Sequence, residues 1–287
     1  IAMYGDQLAK IAEKNRVNLE FEASVCGGVP IIRSLKEGLI ANKISKIYGI
    51  FNGTSNYILS TMDKQNKSFN EVLSDATKLG YAETNPTADL NGDDVSSKLK
   101  ILSSLCFNSF LNNKIYVEGI KDIDKADINN ANTLGYKIKL LGFAELLNKK
   151  IYQRVHPTLI KKDSYVASID GVLNAVIVDG TPVGQSTIQG EGAGPAATTS
   201  ALISDISSIL RGNIKFPFSL SNKERKKLKF SDISNRSFSA YLRFEVIDKP
   251  GVLSNITNIF SKNKVSIKRL VQNPDKNKRS SSIIIIT

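Results

Sequence analysis

The feature that most constrains the fold is a run of strand-like segments between residues 115 and 190. The segments are rich in β-branched and aromatic residues and are separated by short turns, which is the pattern of paired strands. They are KIYVEG, KIKLLGFAEL, IYQRVHPTLI, GVLNAVIVDG and PVGQSTIQG. Because consecutive strands with short connections usually lie side by side, this part of the chain predicts a sheet.

The residues on either side of this run are predicted to be mainly helical. Helical periodicity predicts helices at 6–15, 31–37, 57–62, 69–79, 94–107 and 195–210, with residues 52–56 as a loop and cap before the third of them. Alternation predicts two more strands, at 17–24 and 44–51. The segregation of helices from strands predicts an α+β fold, a mixed sheet with helices on one face.

Composition excludes several classes of protein. The chain has 287 residues, 41% of them apolar, but no uninterrupted apolar stretch of the roughly 18 residues that a membrane helix needs. Nothing resembles a signal peptide. The two cysteines, Cys26 and Cys106, stand in no CxxC or Cys/His pattern, which argues against disulfides and zinc and for a reducing cytoplasm. Both are expected to be small buried side chains.

The net charge of +12 raises the question of a nucleic-acid partner. Most lysines are dispersed, and the one dense basic run spans residues 223–229. That run is either a solvated linker or a basic patch for nucleic acid. It has no interleaved aromatic residues, so a linker is favoured and no nucleic-acid partner is expected.

The stretch at 80–98, GYAETNPTADLNGDDVSSK, gathers carboxylates just before a predicted helix. On a helix with about 100° per residue, one side is formed by the apolar residues Val95, Leu99, Leu102 and Cys106. Asp94 and Lys98 fall within the angular range of this apolar side, whereas Lys100 lies on the polar side. A lysine directed inward is costly unless it is paired or takes part in chemistry.

Two interpretations of this pattern stay open. An i,i+4 ion pair at a helix start is worth about 0.2–0.5 kcal/mol, and the helix dipole favours Asp93 and Asp94 there. This interpretation does not explain why Lys98 faces inward. A functional site is therefore favoured, with Lys98 as proton donor or acceptor and the nearby acids as ligands for a cationic group of the substrate.

Several motifs resemble one family. The run ATKLGYAETNPTADLNGDDVSSK, from residue 76 to residue 98, is similar to the signature of homoserine dehydrogenases. The resemblance continues through FEASVCGGVPII, GIFNGTSNYIL, RVHPTLI, GVLNAVIVDG and QGEGAGPAATTSAL, and so covers nearly the whole chain. It implies an NAD- or NADP-dependent interconversion of L-homoserine and L-aspartate 4-semialdehyde, in threonine, methionine and isoleucine biosynthesis.

The resemblance also implies roles for individual residues. Lys98 would be the acid/base lysine and Asp94 would orient it or share the polar head of the substrate. Glu83 would bind the substrate ammonium, and Asp89 would belong to the same hydrogen-bond network. The loop NGTSN, residues 52–56, would lie close to the nicotinamide and the substrate. The single histidine, His156, is expected to be structural.

Two further sites follow from the same resemblance. The loop Gly190, Glu191, Gly192, Ala193 and Gly194, ahead of a helix that starts with Pro195, would be a second contact to the cofactor. Glu22, with the backbone carbonyls of Val25, Gly27 and Val29, resembles a monovalent-cation site that suits Na⁺.

The expected domain organisation has four parts. Residues 1–20 would be a remnant of a Rossmann nucleotide-binding domain, whose GxGxxG loop is expected upstream of this chain. Residues 21–212 would be the catalytic and dimerisation domain, with its helix at 195–211 packed on the nucleotide-binding domain. Residues 213–236 would be a basic linker. A homo-oligomer, dimer or tetramer, is expected.

Residues 237–287 resemble a truncated ACT domain, whose full pattern is βαββαβ. The ACT resemblance makes threonine a possible effector, and the terminal SSSIIIIT is predicted to be an exposed, aggregation-prone edge. A non-catalytic amino-acid sensor, in which the ACT module is the working part, remains the alternative function.

Overall fold

The computed structural model describes residues 1–110, 113–212, 216–275 and 280–287. The chain divides into two units, Ile1–Ile233 and Ser234–Thr287. The boundary falls inside the segment predicted as a linker, of which residues 213–215 lie outside the described residues.

The first unit is built on a sheet of seven described strands. They are β1 Lys43–Ile50, β2 Tyr116–Val117, β3 Tyr136–Leu147, β4 Lys150–Lys161, β5 Leu173–Thr181, β6 Gly184–Glu191 and β7 Lys229–Ser231. Their order is β2-β4-β3-β1-β5-β6, and β7 also pairs with β4. Both β2 and β7 run parallel to β4, while the other pairs are antiparallel. The predicted mixed sheet is therefore confirmed.

The longest pairing in this sheet is the hairpin of β3 and β4. Its register runs from Tyr136 opposite Lys161 to Leu147 opposite Lys150. The two residues of the turn, Asn148 and Lys149, both have positive φ, 50° and 59°. Such a turn matches the right-handed twist of the flanking strands, so a two-residue connection suffices.

Helices cover the sheet and enclose the main core. They are α1 Gly5–Asn15, α2 Ile31–Arg33 with a π-helical continuation Ser34–Gly38, α3 Gly53–Gln65, α4 Phe69–Lys78, α5 Thr87–Asn91, α6 Asp93–Phe107, α7 Lys125–Thr133 and α8 Pro195–Arg211. The central helix α6 packs on β1, β3 and β4, α3 packs on β3 and β5, and α7 packs on β3. Within the described ranges, no helix has the length and apolar character needed to cross a membrane.

The helix α7 was missed in the sequence because its residues, KADINNANT, carry little apolar periodicity. Only Ile128 and Ala131 of its apolar side chains are buried. Its start is specified by polar residues instead: Asp124 and Asp127 form a reciprocal capping box. The same device, Ser68 with Glu71, begins α4, where apolar residues also recur at helical spacing.

The strand predicted at residues 17–24 is wrong. The segment contains only a 3₁₀ turn, Glu22–Ser24. Phe21 is drawn into the core, with its ring centroid 5.0 Å from that of Phe218. The Glu22 carboxylate accepts the backbone N–H groups of Ile32 and Arg33 at 2.9 and 2.7 Å. The alternating pattern thus serves a core contact and a helix start, and no neighbouring strand pairs with it in the described sheet.

The basic run at 223–229 keeps its lysines exposed, but Arg225 turns inward. The Arg225 side chain is only 5% exposed and forms ion pairs with Asp6, at 3.3 Å, and with Glu13 of α1. The guanidinium also lies over the ring of Phe110. The lysine side chains of the run are therefore solvated, while its backbone is attached to the rest of the first unit. Besides Arg225, the N–H of Lys226 donates to the carbonyl of Asn108 at 2.7 Å, and Lys229 pairs with β4.

The second unit consists of β8 Tyr241–Ile247, α9 Val252–Lys262, β9 Arg269–Asp275 and β10 Ser280–Ile286. The predicted order of strand, helix, strand and strand is confirmed. The three strands are antiparallel in the order β8-β10-β9. The terminal isoleucines of β10 are buried in the central strand, so the prediction of an exposed edge was wrong. Residues 276–279 of the predicted ACT segment lie outside the described residues.

Candidate active site

A sharp junction between α5 and α6 places the acids of the 80–98 stretch. Asp89 belongs to α5, and Asp94 belongs to the first turn of α6. Between them Gly92 has φ +86°, a conformation that favours glycine. A Cβ at Gly92 would also lie 3.0 Å from the side chain of Val117. The glycine therefore allows the chain to turn so that both carboxylates approach α3.

Lys98 lies one turn after Asp94 and is paired with it. The Nζ atom of Lys98 is 2.8 Å from Asp94 Oδ2 and donates to the backbone carbonyl of Phe51 at 2.8 Å. The Lys98 side chain is 17% exposed, so its ammonium group is held by protein yet reachable from solvent. This is the inward lysine that the helix projection singled out.

Asn52 connects the two acids. It caps α3 by accepting the N–H of Ser55 at 2.8 Å. Its amide nitrogen donates to Asp89 Oδ1 at 2.7 Å and to Asp94 Oδ2 at 2.8 Å. Sequence reasoning placed Asn52 near the site but gave it no partner, because only the fold brings α3 against the α5–α6 junction.

The close approach of two carboxylates affects their titration. Burial raises the pKa of Asp89, and the neighbouring Asp94 charge raises it further. The hydrogen bond from Asn52 acts in the opposite direction, because it stabilises the ionised form. The charge of Asp89 thus depends on both Asp94 and Asn52.

Glu83 does not join the cluster through a side-chain contact. It is exposed, and in the described part of the chain its carboxylate forms no hydrogen bond or ion pair. The loop that carries it is anchored beside α3, where Thr54 Oγ1 donates to the carbonyl of Tyr81 at 2.6 Å. The ring of Tyr81 also lies 5.0 Å from that of Tyr57. The Glu83 carboxylate therefore stands near the start of α3 and is free to meet a ligand.

The predicted cofactor loop and the predicted cation loop are in contact. Gly28 N–H donates to the carbonyl of Glu191 at 2.9 Å. A Cβ at Gly28 would lie 2.6 Å from that carbonyl oxygen, so only glycine permits this approach. Ala193 and Gly194 remain exposed ahead of α8. The two glycine-containing segments thus form one surface at the start of α8.

Glu22 is buried beside these loops. Besides accepting two N–H groups at the start of α2, it donates its own N–H to Asp205 Oδ2 of α8 at 2.9 Å. Burial raises the pKa of Glu22 to about 7. Among the described residues, no group of three or more His, Cys, Asp or Glu side chains could hold a metal ion. A cation at Glu22, which stays a prediction from the family resemblance, would therefore depend on backbone oxygens.

The loop at 25–29 reaches the Lys98 pair through one carbonyl. The thiol of Cys26 lies 3.9 Å from the Phe51 oxygen that accepts from Lys98. Burial raises the pKa of Cys26 to about 11 and also raises the pKa of Cys106, so both thiols stay protonated. The structure thus brings together the Lys98 pair and the glycine loops, while Cys26 and Cys106 are buried as expected.

Comparison with known proteins agrees with this division of the chain. Residues 30–207 match the family model described as homoserine dehydrogenase, so the first unit is of the dehydrogenase class. Residues 240–287 match the ACT domain model. The chain belongs to the homoserine dehydrogenase family.

Relatives are similar along nearly the whole chain. It is 41% identical to a homoserine dehydrogenase of Neisseria gonorrhoeae, over 100% of this chain and 68% of the relative. It is 39% identical to one of Pseudomonas aeruginosa, over 95% of this chain and 64% of that relative. The crystal structure of a homoserine dehydrogenase from Thiobacillus denitrificans matches with a TM-score of 0.92 and 38% identity, over 99% of this chain and 66% of that one. The chain therefore spans about two thirds of the length of these relatives.

Proposed function

We propose that this chain carries the substrate-binding and proton-transfer part of a homoserine dehydrogenase, which interconverts L-homoserine and L-aspartate 4-semialdehyde with NAD(P). The observation that carries the proposal is the pair of Lys98 and Asp94. A mostly buried ammonium group, fixed by a carboxylate and a carbonyl and still reachable from solvent, is suited to exchange a proton with a bound substrate.

The number of hydrogen-bond donors that Lys98 has left supports this role. An ammonium group has three N–H donors. In the described part of the chain, two are used, by Asp94 and by Phe51. The third is available to the substrate oxygen. In the reductive direction Lys98 donates a proton to the aldehyde oxygen, and in the oxidative direction its neutral amine takes the hydroxyl proton of homoserine.

The acids around Lys98 suit an amino-acid substrate. Asp89 and Asp94 carry two negative charges against the one positive charge of Lys98, which leaves a net negative charge to attract the substrate ammonium. Glu83, unpaired on its anchored loop, completes the binding of that ammonium. Positioning of the substrate in this way contributes to rate because the reacting groups are held in orientation.

The loop at 190–194 fits a cofactor contact. Its exposed end precedes α8, and the two loops approach closely: a Cβ at Gly28 would lie 2.6 Å from the carbonyl oxygen of Glu191, and a Cβ at Gly190 would lie 3.2 Å from that of Gly28. Such a backbone surface lets a large ligand approach closely. A structurally similar hyperthermophilic archaeal homoserine dehydrogenase, with a TM-score of 0.66, 26% identity and 75% coverage of this chain, is in complex with NADPH. When bound, NAD(P) supplies the hydride exchange that the side chains here cannot perform.

The loop at 22–29 fits a monovalent cation. Glu22 contributes one buried carboxylate, and its pKa of about 7 is that of a buried acid with no strong counter-charge. Arg33 is the nearby cation, but its Nη2 donates to the carbonyl of Ser204. Together with the carbonyls of Val25, Gly27 and Val29, this is an oxygen donor set of the kind that hard cations prefer. A cation there would hold the glycine loop in place.

The remaining assignments concern assembly and regulation. An exposed apolar face of α8 supports its packing against a nucleotide-binding domain, and that face is formed by Leu202, Ile203, Ile206, Ile209 and Leu210. The ACT match supports an amino-acid effector, for which threonine is the candidate. A homodimer or tetramer completes the proposal.

The proposal is tested by activity. The chain is joined to the segment of the Neisseria gonorrhoeae relative that has no counterpart in it, and homoserine-dependent formation of NAD(P)H is followed. Lys98→Met is expected to lower kcat/KM by about 10³-fold, in the range of general acid–base catalysis, with unchanged circular dichroism. Lys100→Met, on the polar side of the same helix, is the matched control and should keep the activity.

Equal turnover of Lys98→Met and the parent chimera would contradict the assignment of Lys98. A chimera that binds threonine with no turnover of homoserine would favour the amino-acid sensor instead.

A further inference from the structure

The Asn52 side chain forms more hydrogen bonds in the site than the capping of α3 requires. Asn52 is only 5% exposed, and every polar group of its amide is used. The oxygen accepts from Ser55 N–H, and the nitrogen donates to Asp89 and Asp94. The orientation of the amide follows from this network. Ser55 offers only a donor and the carboxylates only acceptors, so a flipped amide would lose all three bonds.

Capping alone does not explain an asparagine at this position. Ser, Thr, Asp and Asn are all good N-cap residues, because each offers an oxygen to the first turn. The other helices of this unit that have side-chain caps use Ser68 at α4 and Asp124 at α7. Among these residue types only asparagine also carries an NH₂ group with two donors. The structure uses both donors, one for each carboxylate.

The oxygen that Asn52 holds is also the oxygen that meets Lys98. Asp94 Oδ2 accepts from Asn52 at 2.8 Å and lies 2.8 Å from Lys98 Nζ. A carboxylate on a short side chain can rotate about its last bond at little cost. The amide of Asn52 removes that freedom, so the direction from which Asp94 contacts Lys98 is set from α3.

We propose that Asn52 is a positioning residue, whose amide carries Asp89 and Asp94 on its two N–H bonds and thereby fixes the orientation of Asp94 against Lys98. This inference rests on the proposed function and goes beyond it. Asn52, at the start of α3, then controls two properties of the site: how Lys98 is oriented by Asp94, and how much negative charge the carboxylates carry.

The charge effect follows from the groups around Asp89. On α6 the charged groups facing Asp89 are Asp94 and Lys98, and on α3 the Thr54 hydroxyl and the Asn52 amide contribute hydrogen bonds. Behind Lys98 lies the protonated thiol of Cys26. If the Asn52 NH₂ group is lost, Asp89 and Asp94 lose the donor that they share, and only the Thr54 hydroxyl and the charge of Lys98 still favour the ionised form of Asp89. Asp89 then binds a proton at higher pH, and the site loses negative charge.

The test distinguishes the capping of α3 by Asn52 from the hydrogen bonds that Asn52 donates to Asp89 and Asp94. Asn52→Ser keeps a capping oxygen but removes the two donors, whereas Ser68→Ala removes a cap far from the site and serves as the control. In the chain itself, the carboxyl carbon of Asp89 is titrated by NMR. We expect Asn52→Ser to raise the pKa of Asp89 measurably, whereas Ser68→Ala leaves it where it is in the parent chain.

The active chimera gives the second readout. In Asn52→Ser the acid limb of the kcat/KM profile should move to higher pH, and kcat should fall by about tenfold, as expected when a catalytic group loses its orientation. An Asp89 titration and a pH profile that both equal those of the parent would overturn the proposal.

Failure of the Asn52 proposal can be distinguished from failure of the proposed dehydrogenase function. If the chimera turns over no homoserine, the NMR titration of the chain still decides the role of Asn52. If Asn52→Ser does not fold, the parent chain is used. There the two amide protons of the Asn52 side chain should shift as Asp89 titrates, and their indifference to pH would count against the proposal.

Discussion

Lys139 and Lys98 both point into the first unit, and they differ in how many of their N–H donors are already bonded to protein. Lys139, in β3, is 1% exposed and donates to Asn56 Oδ1 at 3.0 Å, to the carbonyl of Ile169 at 2.6 Å and to Asp170 Oδ1 at 2.8 Å. Lys98 is partly open, and two of its donors are used. Both are paired with an aspartate and a backbone carbonyl, so pairing alone does not separate them.

Of these two lysines, only Lys98 has an N–H donor that is not already bonded to protein, and it is therefore the one that can exchange a proton with a substrate. All three N–H groups of Lys139 donate to protein acceptors. Its ammonium group therefore links α3 to the turn before β5 and has no donor left for a substrate. One helix serves both sites: Asn52, at the start of α3, bridges the acids near Lys98, and Asn56, one turn later, accepts from Lys139. The two sites share an element and have opposite roles.

The largest effect on stability is expected at Lys139. Lys139→Met leaves Asn56 Oδ1 without its donor and weakens the pairing of Asp170. It also removes one of the two donors to the carbonyl of Ile169, which still accepts from the Asn56 amide at 3.1 Å. We expect the free energy of unfolding to fall by about 3 kcal/mol, the lower end for a broken buried pair, because Lys64 still contacts Asp170 at 3.0 Å. Urea unfolding measures the change.

Lys137→Met is the matched control, since its ammonium lies 3.6 Å from Asp170 and is more exposed. It should cost less than about 1 kcal/mol. Lys98→Met should also stay within about 1 kcal/mol of the parent chain. A loss at Lys98 as large as that at Lys139 would break the distinction between the two lysines.

Asp170, beside Lys139, and Asp89, near Lys98, should contribute to the free energy of unfolding with opposite dependence on pH. Burial acts to raise the pKa of Asp170, but hydrogen bonds from Lys139 and Lys64 outweigh it and lower the pKa. Its stabilising effect is therefore present above its unfolded pKa, near 3.8, and is lost as the pH falls through the lower folded value. We expect Asp170→Asn to destabilise by about 2 kcal/mol at pH 7, and by progressively less as the pH falls below 3.8.

Asp89 behaves in the reverse manner because its folded pKa is raised. Ionised Asp89 costs stability, and this cost appears as the pH rises from 3.8 through the folded pKa. Asp89→Asn should therefore be slightly more stable than the parent at pH 7, by less than about 1 kcal/mol, and equal at pH 3. Urea midpoints at the two pH values measure both variants, and a shared sign for Asp89 and Asp170 would contradict the contrast.

The last prediction concerns substrate binding by Glu83, the exposed acid near Lys98. Glu83→Gln in the active chimera should raise KM for homoserine about tenfold, which is about 1.4 kcal/mol, and change kcat little. Removal of one carboxylate weakens the hold on the substrate ammonium without touching Lys98. Asp93→Asn, an exposed acid on the opposite side of α6, should leave KM unchanged. Steady-state kinetics at several homoserine concentrations decide whether Glu83 differs from Asp93.

Local patterns predicted most elements correctly. The periodicity of residues 94–107 predicted α6, and it also separated Lys98 from Lys100, because the helix angle alone decides which face a residue occupies. The strands from 136 to 191 were predicted because β-branched and apolar residues recur between short turns. Where a polar capping box replaced apolar spacing, as in α7, the prediction failed.

The partners of each site residue depended on contacts between distant segments. Asn52 lies 37 residues before Asp89 and 42 before Asp94, and nothing local in NGTSN indicates that its amide donates to both. Lys139 was not singled out, since a lysine in a strand is normally turned to solvent. The alternation at 17–24 predicted a strand, but its Glu22 was taken up by the start of α2.

The sequence by itself determined most of the helices and strands, the inward lysine of α6 and the family, because each depends on spacing within a short segment or on motifs kept in order. Only the tertiary structure decided which lysine keeps a free donor and which carboxylates share one amide. Those properties depend on where α3, the α5–α6 junction and the sheet meet, and a hydrogen bond is set by distance and direction in space, not by separation along the chain.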